Sequence, residues 1–175
     1  MVAIVACQRD VVDHQLTLLR AAGFSSIMFT VSSWGVLGWY RRTGLGGGAT
    51  EPSLVVNVDD ARTDLVLIAD GRVISSRSVA QGARDWETVG DIGELLALEI
   101  DRSRAAIRKE LPGTDVRSFL LTGLGPLPQW SDHIAKKLGV SVRAVEGRQP
   151  FTEWTTPLTT QISPVVVGGL ACSET

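Results

Sequence analysis

The apolar positions of this chain change their period several times, and each change marks an element. Residues 2–6 form a continuous apolar run, which predicts a buried strand. Asp10 is expected to cap the helix that follows, where Val11, Val12, Leu16, Leu18 and Leu19 make a helical stripe. Ala21-Ala22-Gly23-Phe24 closes it, with Gly23 placed to take a left-handed conformation. Residues 26–31 read as a second apolar strand. Ser32 or Ser33 then opens a helix through Trp34, Val36, Leu37, Trp39 and Tyr40. Residues 1–42 therefore read β-α-β-α, and the crossover helix implies parallel pairing of the two strands.

Residues 41–52 carry Gly44-Leu45-Gly46-Gly47-Gly48 and no apolar period, which predicts a linker over 43–52. Beyond it the period shortens. Residues 54–58 are apolar, 59–62 form a charged turn, and 63–69 alternate through Leu65, Leu67 and Ala69. Asp70-Gly71 is a favoured hairpin pair leading into a third strand over 72–80. A long amphipathic helix is expected over 91–110, with Ile92, Leu95, Leu96, Leu98, Ile100 and Ile107 at helical spacing and Pro112-Gly113 as its stop. A strand over 116–121, a short helix over 128–138, a strand over 140–145 and a closing helix over 156–172 complete the order. Residues 53–175 thus read β-β-β-α-β-α-β-α. The fold class is α/β, with a mixed five-stranded sheet, three antiparallel strands then parallel ones, flanked by helices.

Composition narrows the function. The chain has 175 residues, 44% hydrophobic and 21% charged, which suits a globular core. A net charge of −2 gives no nucleic-acid footprint. No apolar run approaches the roughly 20 residues needed to span a bilayer, so no direct membrane insertion is expected. The two cysteines, Cys7 and Cys172, sit in apolar surroundings and read as buried free thiols in a reducing cytoplasm. His14 and His133 lack metal-ligand spacing.

Several short motifs, taken in order, resemble the actin/Hsp70 superfamily, and within it the type IV pilus assembly (PilM-like) family. Val56-Asn57-Val58-Asp59-Asp60-Ala61-Arg62-Thr63-Asp64 resembles the second phosphate motif, in which a strand ends in Asp-x-Gly and Thr opens the next strand. Ser76-Arg77-Ser78-Val79, with Gly82 after it, is similar to the third strand and its glycine loop. Leu98-Glu99-Ile100-Asp101-Arg102-Ser103 is similar to the Glu-Ile-x-Arg-Ser helix of PilM-like proteins. Leu120-Leu121-Thr122-Gly123-Leu124-Gly125 resembles the adenosine-site strand and turn, and Gly168-Gly169-Leu170-Ala171 the closing helix. The resemblance implies an actin-like/ribonuclease H-like second lobe at 53–175, a first-lobe tail at 1–42 and a linker at 43–52.

It also implies ATP and Mg²⁺ as the ligands of such a site. Asp59 would position the metal or its waters. Ala61, Arg62 and Thr63 would form the phosphate turn, with Ala61 where the family has glycine. Gly123, Leu124 and Gly125 would lie against the nucleoside, which Glu99 would approach. Each has a plainer reading beside it. Residues 59–62 also read as a charged β-turn, Gly123 and Gly125 as a tight strand-to-helix turn, and Glu99 with Arg102 as an exposed pair on one helix face. Asp60 puts a second negative charge beside the phosphates, which Arg62 could offset. No Asp-x-Gly phosphate loop of the first lobe precedes residue 53.

The resemblance therefore implies assembly more than turnover: a cytoplasmic scaffold, peripheral to the inner membrane, with an incomplete or vestigial ATP site. The alternative is the nucleotide-binding half of an active ATPase. A sugar or acetate kinase fits less well, because its catalytic Asp belongs to the first lobe. Implied partners are pilus or secretion proteins at the inner membrane, with a homo-oligomer open. Among five tryptophans, Trp154 with Phe151 in the 151–157 loop is the expected interaction patch.

Overall fold

The computed structural model describes residues 6–45, 51–86 and 92–146, together with 163, 165, 166 and 169; of Trp86 and Ile92 it describes the backbone alone. Two compact units result, 1–31 and 32–175.

Among its described residues the first unit contains one helix, α1 (Arg9–Ala21). Its N-cap is Gln8, and Asp10 lies inside the first turn, where Oδ1 accepts from the Val11 N–H at 2.9 Å. At the other end Gly23 takes φ +91, the Gly23 N–H donates to Arg20 O at 3.0 Å, and the Phe24 N–H to Leu19 O at 3.1 Å. This is the double-bonded glycine stop the sequence predicts. The strand expected over 26–31 is not formed: the segment is irregular and exposes Met28 and Phe29. An apolar run becomes a strand only when a neighbour satisfies its backbone groups, and most of the expected neighbour, 2–6, lies outside the described residues. The β-α-β-α reading of 1–42 is thus corrected to helix, irregular segment, helix among the described residues. Cys7 is exposed rather than buried; Cys172 lies outside the described residues.

The second unit opens with α2 (Ser32–Thr43). It continues through β1 (Ser53–Val58), β2 (Thr63–Ala69), β3 (Arg72–Val79), α3 (Ala83–Trp86), α4 (Ile92–Glu110), β4 (Ser118–Gly123), α5 (Leu127–Leu138) and β5 (Val142–Ala144). The sheet order is β3-β2-β1-β4-β5. β1 pairs antiparallel with β2 and parallel with β4, which pairs parallel with β5. This is the mixed five-stranded sheet the sequence predicts. Asp70 (φ 51) and Gly71 (φ 64) both take positive φ, the conformation of a tight two-residue hairpin.

Both faces of the central strands are covered. On one, Leu54, Val56, Leu65, Leu67, Phe119 and Leu121 pack against Leu96, Ile100, Trp130 and Ile134 of α4 and α5. On the other, Val55, Val66, Ile68 and Leu120 pack against Val36, Trp39 and Tyr40 of α2 and against Val165 and Val166. Hence β1 is apolar from Leu54 onward apart from Asn57, with the buried Ser53 at its start. Val165 and Val166 are helical and buried; most of the expected closing helix lies outside the described residues.

The α2 crossing is unusually close. A Cβ at Gly35 would lie 2.8 Å from the Val166 carbonyl oxygen, and one at Gly38 would lie 2.4 Å from that of Gly169. The two glycines, three apart on one helix face, let backbone meet backbone.

Candidate functional site

The C-terminal ends of β1 and β4 and the start of β2 converge at one end of the sheet. Val58 pairs with Gly123, and the Leu124 N–H donates to Val58 O at 2.8 Å. The turn 59–62 closes through the Asp59 N–H to Arg62 O at 2.8 Å. The segment after β3 clamps this turn: the Ala83 N–H donates to Asp59 O at 2.7 Å and the Arg84 N–H to Asp60 O at 3.1 Å. Gly82 is obligatory in that clamp, since a Cβ there would lie 2.3–2.4 Å from Asp60 O, Asp59 O and Arg62 N. Thr63 is buried and its hydroxyl donates to Gln81 O at 2.9 Å.

Asp59, Ala61, Arg62, Thr63, Gly123, Leu124 and Gly125 therefore share one end of the sheet, as the motif reading requires. Glu99 does not join them. Its oxygens meet Arg77 Nη2 of β3 at 2.8 Å and Arg102 Nη1 of its own helix. Arg77 pairs with Leu65, two residues into β2, so Glu99 lies down the sheet from the turn. Its side chain is 12% exposed, so the expected exposed pair with Arg102 is a buried carboxylate clamped by two arginines. Phe151 and Trp154 lie outside the described residues.

The Asp59 side chain is committed. It is largely buried, and Oδ1 accepts from the Asp60 N–H at 2.8 Å and from the Ser163 N–H at 2.9 Å. Ser163 is fully buried, its Oγ donates to Asn57 Oδ1 at 2.8 Å, and that same Oγ accepts from the Val165 N–H at 3.3 Å. Ser163 thus caps the helical residues that follow it, and Asp59 with Asn57 holds the cap. Arg62 does not offset Asp60: its Nε lies 3.6 Å from Asp64 Oδ2, while Asp60 faces Arg84 at 3.7 Å.

Asn57 and Thr122 lie inside the quoted motifs but carry no assigned role there, and Ser163 lies outside them. Asn57 and Thr122 are register partners on β1 and β4, both fully buried, with Asn57 Nδ2 and Thr122 Oγ1 lacking hydrogen-bond partners. Asp64 pairs with Asn57 from the other side and accepts from the Ser78 hydroxyl, so one polar row crosses four strands. The signal was available: Asn57 interrupts an apolar run, and a buried amide needs partners.

The glycines at and just after the end of β4 have local causes. Gly123 takes φ +111 and a Cβ there would lie 2.0 Å from Val58 O; Gly125 takes φ +101 and a Cβ would lie 2.2 Å from the Trp130 ring. These residues do not fit Mg-ATP well. Oδ1 of the one carboxylate oriented by the turn already receives two N–H donors, and two N–H groups of the turn bond internally. Among the described residues no three His, Cys, Asp or Glu side chains group to hold a metal, and no helix is long and apolar enough to cross a membrane.

The fold is that of the actin-like ATPases. A chain of a PilM-PilN type IV pilus biogenesis complex superposes with TM-score 0.67 at 20% identity, covering 93% of this chain and 57% of that one. A Bacteroides thetaiotaomicron protein with actin-like ATPase fold and unknown function gives TM-score 0.50 at 14% identity, covering 74% of this chain and 45% of that one. The chain therefore spans about half the length of these two structures. No family model and no curated protein matches it.

Proposed function

We propose that this chain is an actin-like module that acts by assembly, as a cytoplasmic scaffold of a type IV pilus or secretion machine, with a vestigial ATP site. The observation that carries this reading is the Asp59 carboxylate. Through Oδ1 it serves as the fastening point of the Ser163 cap, at 2.9 Å, a structural task rather than a free ligand position for that oxygen. The likeness to a chain from a pilus biogenesis complex supports the setting. The partners are then pilus or secretion proteins at the inner membrane, and Phe151 with Trp154 is the proposed contact.

Isothermal titration with Mg-ATP, run beside capture by purified inner-membrane pilus proteins, tests both halves. The account expects capture without nucleotide heat, and weaker capture with Trp154→Ala. Saturable Mg-ATP binding that Asp59→Ala abolishes would favour the nucleotide-binding half of an active ATPase instead.

A further inference from the structure

Ser163, Val165 and Val166 form a short strap on the face of the sheet that α2 also covers. Three main-chain donors hold it closed. The Ser163 N–H donates to Asp59 Oδ1 at 2.9 Å, the Val165 N–H to Ser163 Oγ at 3.3 Å, and the Val166 N–H to Ser163 O at 3.2 Å. Val165 is fully buried and Val166 nearly so, in one cluster with Val55 and Leu120. All of this favours the closed strap.

The same face carries an opposing cost. Asn57 and Thr122 follow Val55 and Leu120 by two residues, so strand alternation puts them on that face too. For Asn57 the contact is direct, since its Oδ1 accepts from the Ser163 hydroxyl. Yet Asn57 Nδ2 and Thr122 Oγ1 are fully buried and have no hydrogen-bond partner. Water can satisfy both groups when the face is open, and no described residue does so when it is closed. A buried polar group left unpaired costs at least as much as an ordinary hydrogen bond contributes, and such groups are rare. Two of them, side by side as register partners, offset much of what the three main-chain bonds supply.

We propose that the strap is a conformational switch: it opens by itself while the sheet stays folded, and the unpaired Asn57 amide and Thr122 hydroxyl set how often. Opening returns these two groups and Asp59 Oδ1 to solvent where β1 and β4 end. This end of the sheet therefore has two surfaces, an apolar one closed by Val165 and Val166 and a polar one beneath it. The inference rests on the geometry of the Ser163 cap and not on the proposed pilus or secretion setting. The rival account has the Asn57 amide and the Thr122 hydroxyl satisfy each other under the closed strap. It predicts a strap that opens only when the whole unit unfolds.

Native-state hydrogen exchange read by nuclear magnetic resonance decides between them. The Ser163, Val165 and Val166 amides should exchange faster than those of Val55 and Leu120. They should also be indifferent to dilute urea, because a local opening exposes little surface. Thr122→Val keeps the side-chain shape and removes the unpaired hydroxyl, so it should slow exchange of the three strap amides about tenfold. Thr122→Ser retains the hydroxyl and should not slow them. Strap amides that exchange together with the central strands, with the same urea dependence, overturn the proposal. So does a Thr122→Val strap that exchanges as fast as wild type or faster, which the rival account requires, or a Thr122→Ser strap slowed as much as the valine variant.

Discussion

Replacing Gly38 by alanine sets two effects of opposite sign against each other. In an unencumbered helix the substitution stabilises by about 1 kcal/mol, because alanine loses less backbone freedom on folding. In α2 the new Cβ would lie 2.4 Å from the Gly169 carbonyl oxygen. Ordinary contact is about 3.5 Å, so roughly 1 Å of separation must be found, and the obstacle is backbone. The seam cannot yield from the other side either, since a Cβ at Gly169 would lie 1.6 Å from Gly35 O. Overpacking of this kind costs about 1–3 kcal/mol, and moving α2 outward also loosens Val36 and Trp39, both fully buried. The clash wins. We expect a net loss of about 1–2 kcal/mol, read as a fall of roughly 2–8 °C in melting temperature for a chain of this size. Thermal unfolding followed by circular dichroism measures it. An unchanged or raised melting temperature would refute the close crossing.

Other substitutions probe separate parts of the molecule. Gly123→Ala should cost about 3 kcal/mol or more, since it combines a positive φ with a backbone clash at 2.0 Å; urea unfolding checks this. Glu99→Gln should lose about 1 kcal/mol at low salt and less at high salt, because Arg77 and Arg102 are both about half exposed and screened; parallel urea titrations at two ionic strengths would show the difference shrinking. Tyr40→Phe removes the buried hydrogen bond to Ser53 Oγ at 2.8 Å and should cost about 1 kcal/mol by the same method.

The sheet was legible because its signals were local. The Asp70-Gly71 pair fixed one hairpin, and the apolar runs of β1 and β2 fixed the strands that share the core. Boundaries slipped where chemistry is ambiguous. Thr122 and Gly123 read as turn residues, yet Gly123 completes β4 against Val58. The short α3 carries too few residues for any period to show. Residues 26–31 failed as a strand because pairing is a non-local property that composition does not encode. The candidate site divided the same way. Its turn and glycines were visible in one stretch of sequence. The Ser163 cap was not, because Ser163 lies over a hundred positions from Asp59 and nothing in either segment names the other. Arg77 as a second partner of Glu99 was hidden likewise.

The central claim is that Asp59 holds the Ser163 cap. Thermal unfolding of Asp59→Ala beside Asp59→Asn, with and without Mg-ATP, tests it most directly. Alanine removes an acceptor of two backbone N–H groups and strands the buried one at Ser163, a loss of about 2–4 kcal/mol. Asparagine keeps an oxygen in place and should lose less than half as much. The account predicts that order of stability, wild type above asparagine above alanine, with Mg-ATP shifting none of the three. An alanine variant as stable as wild type, or a wild-type stabilisation by Mg-ATP that the alanine variant lacks, would contradict it.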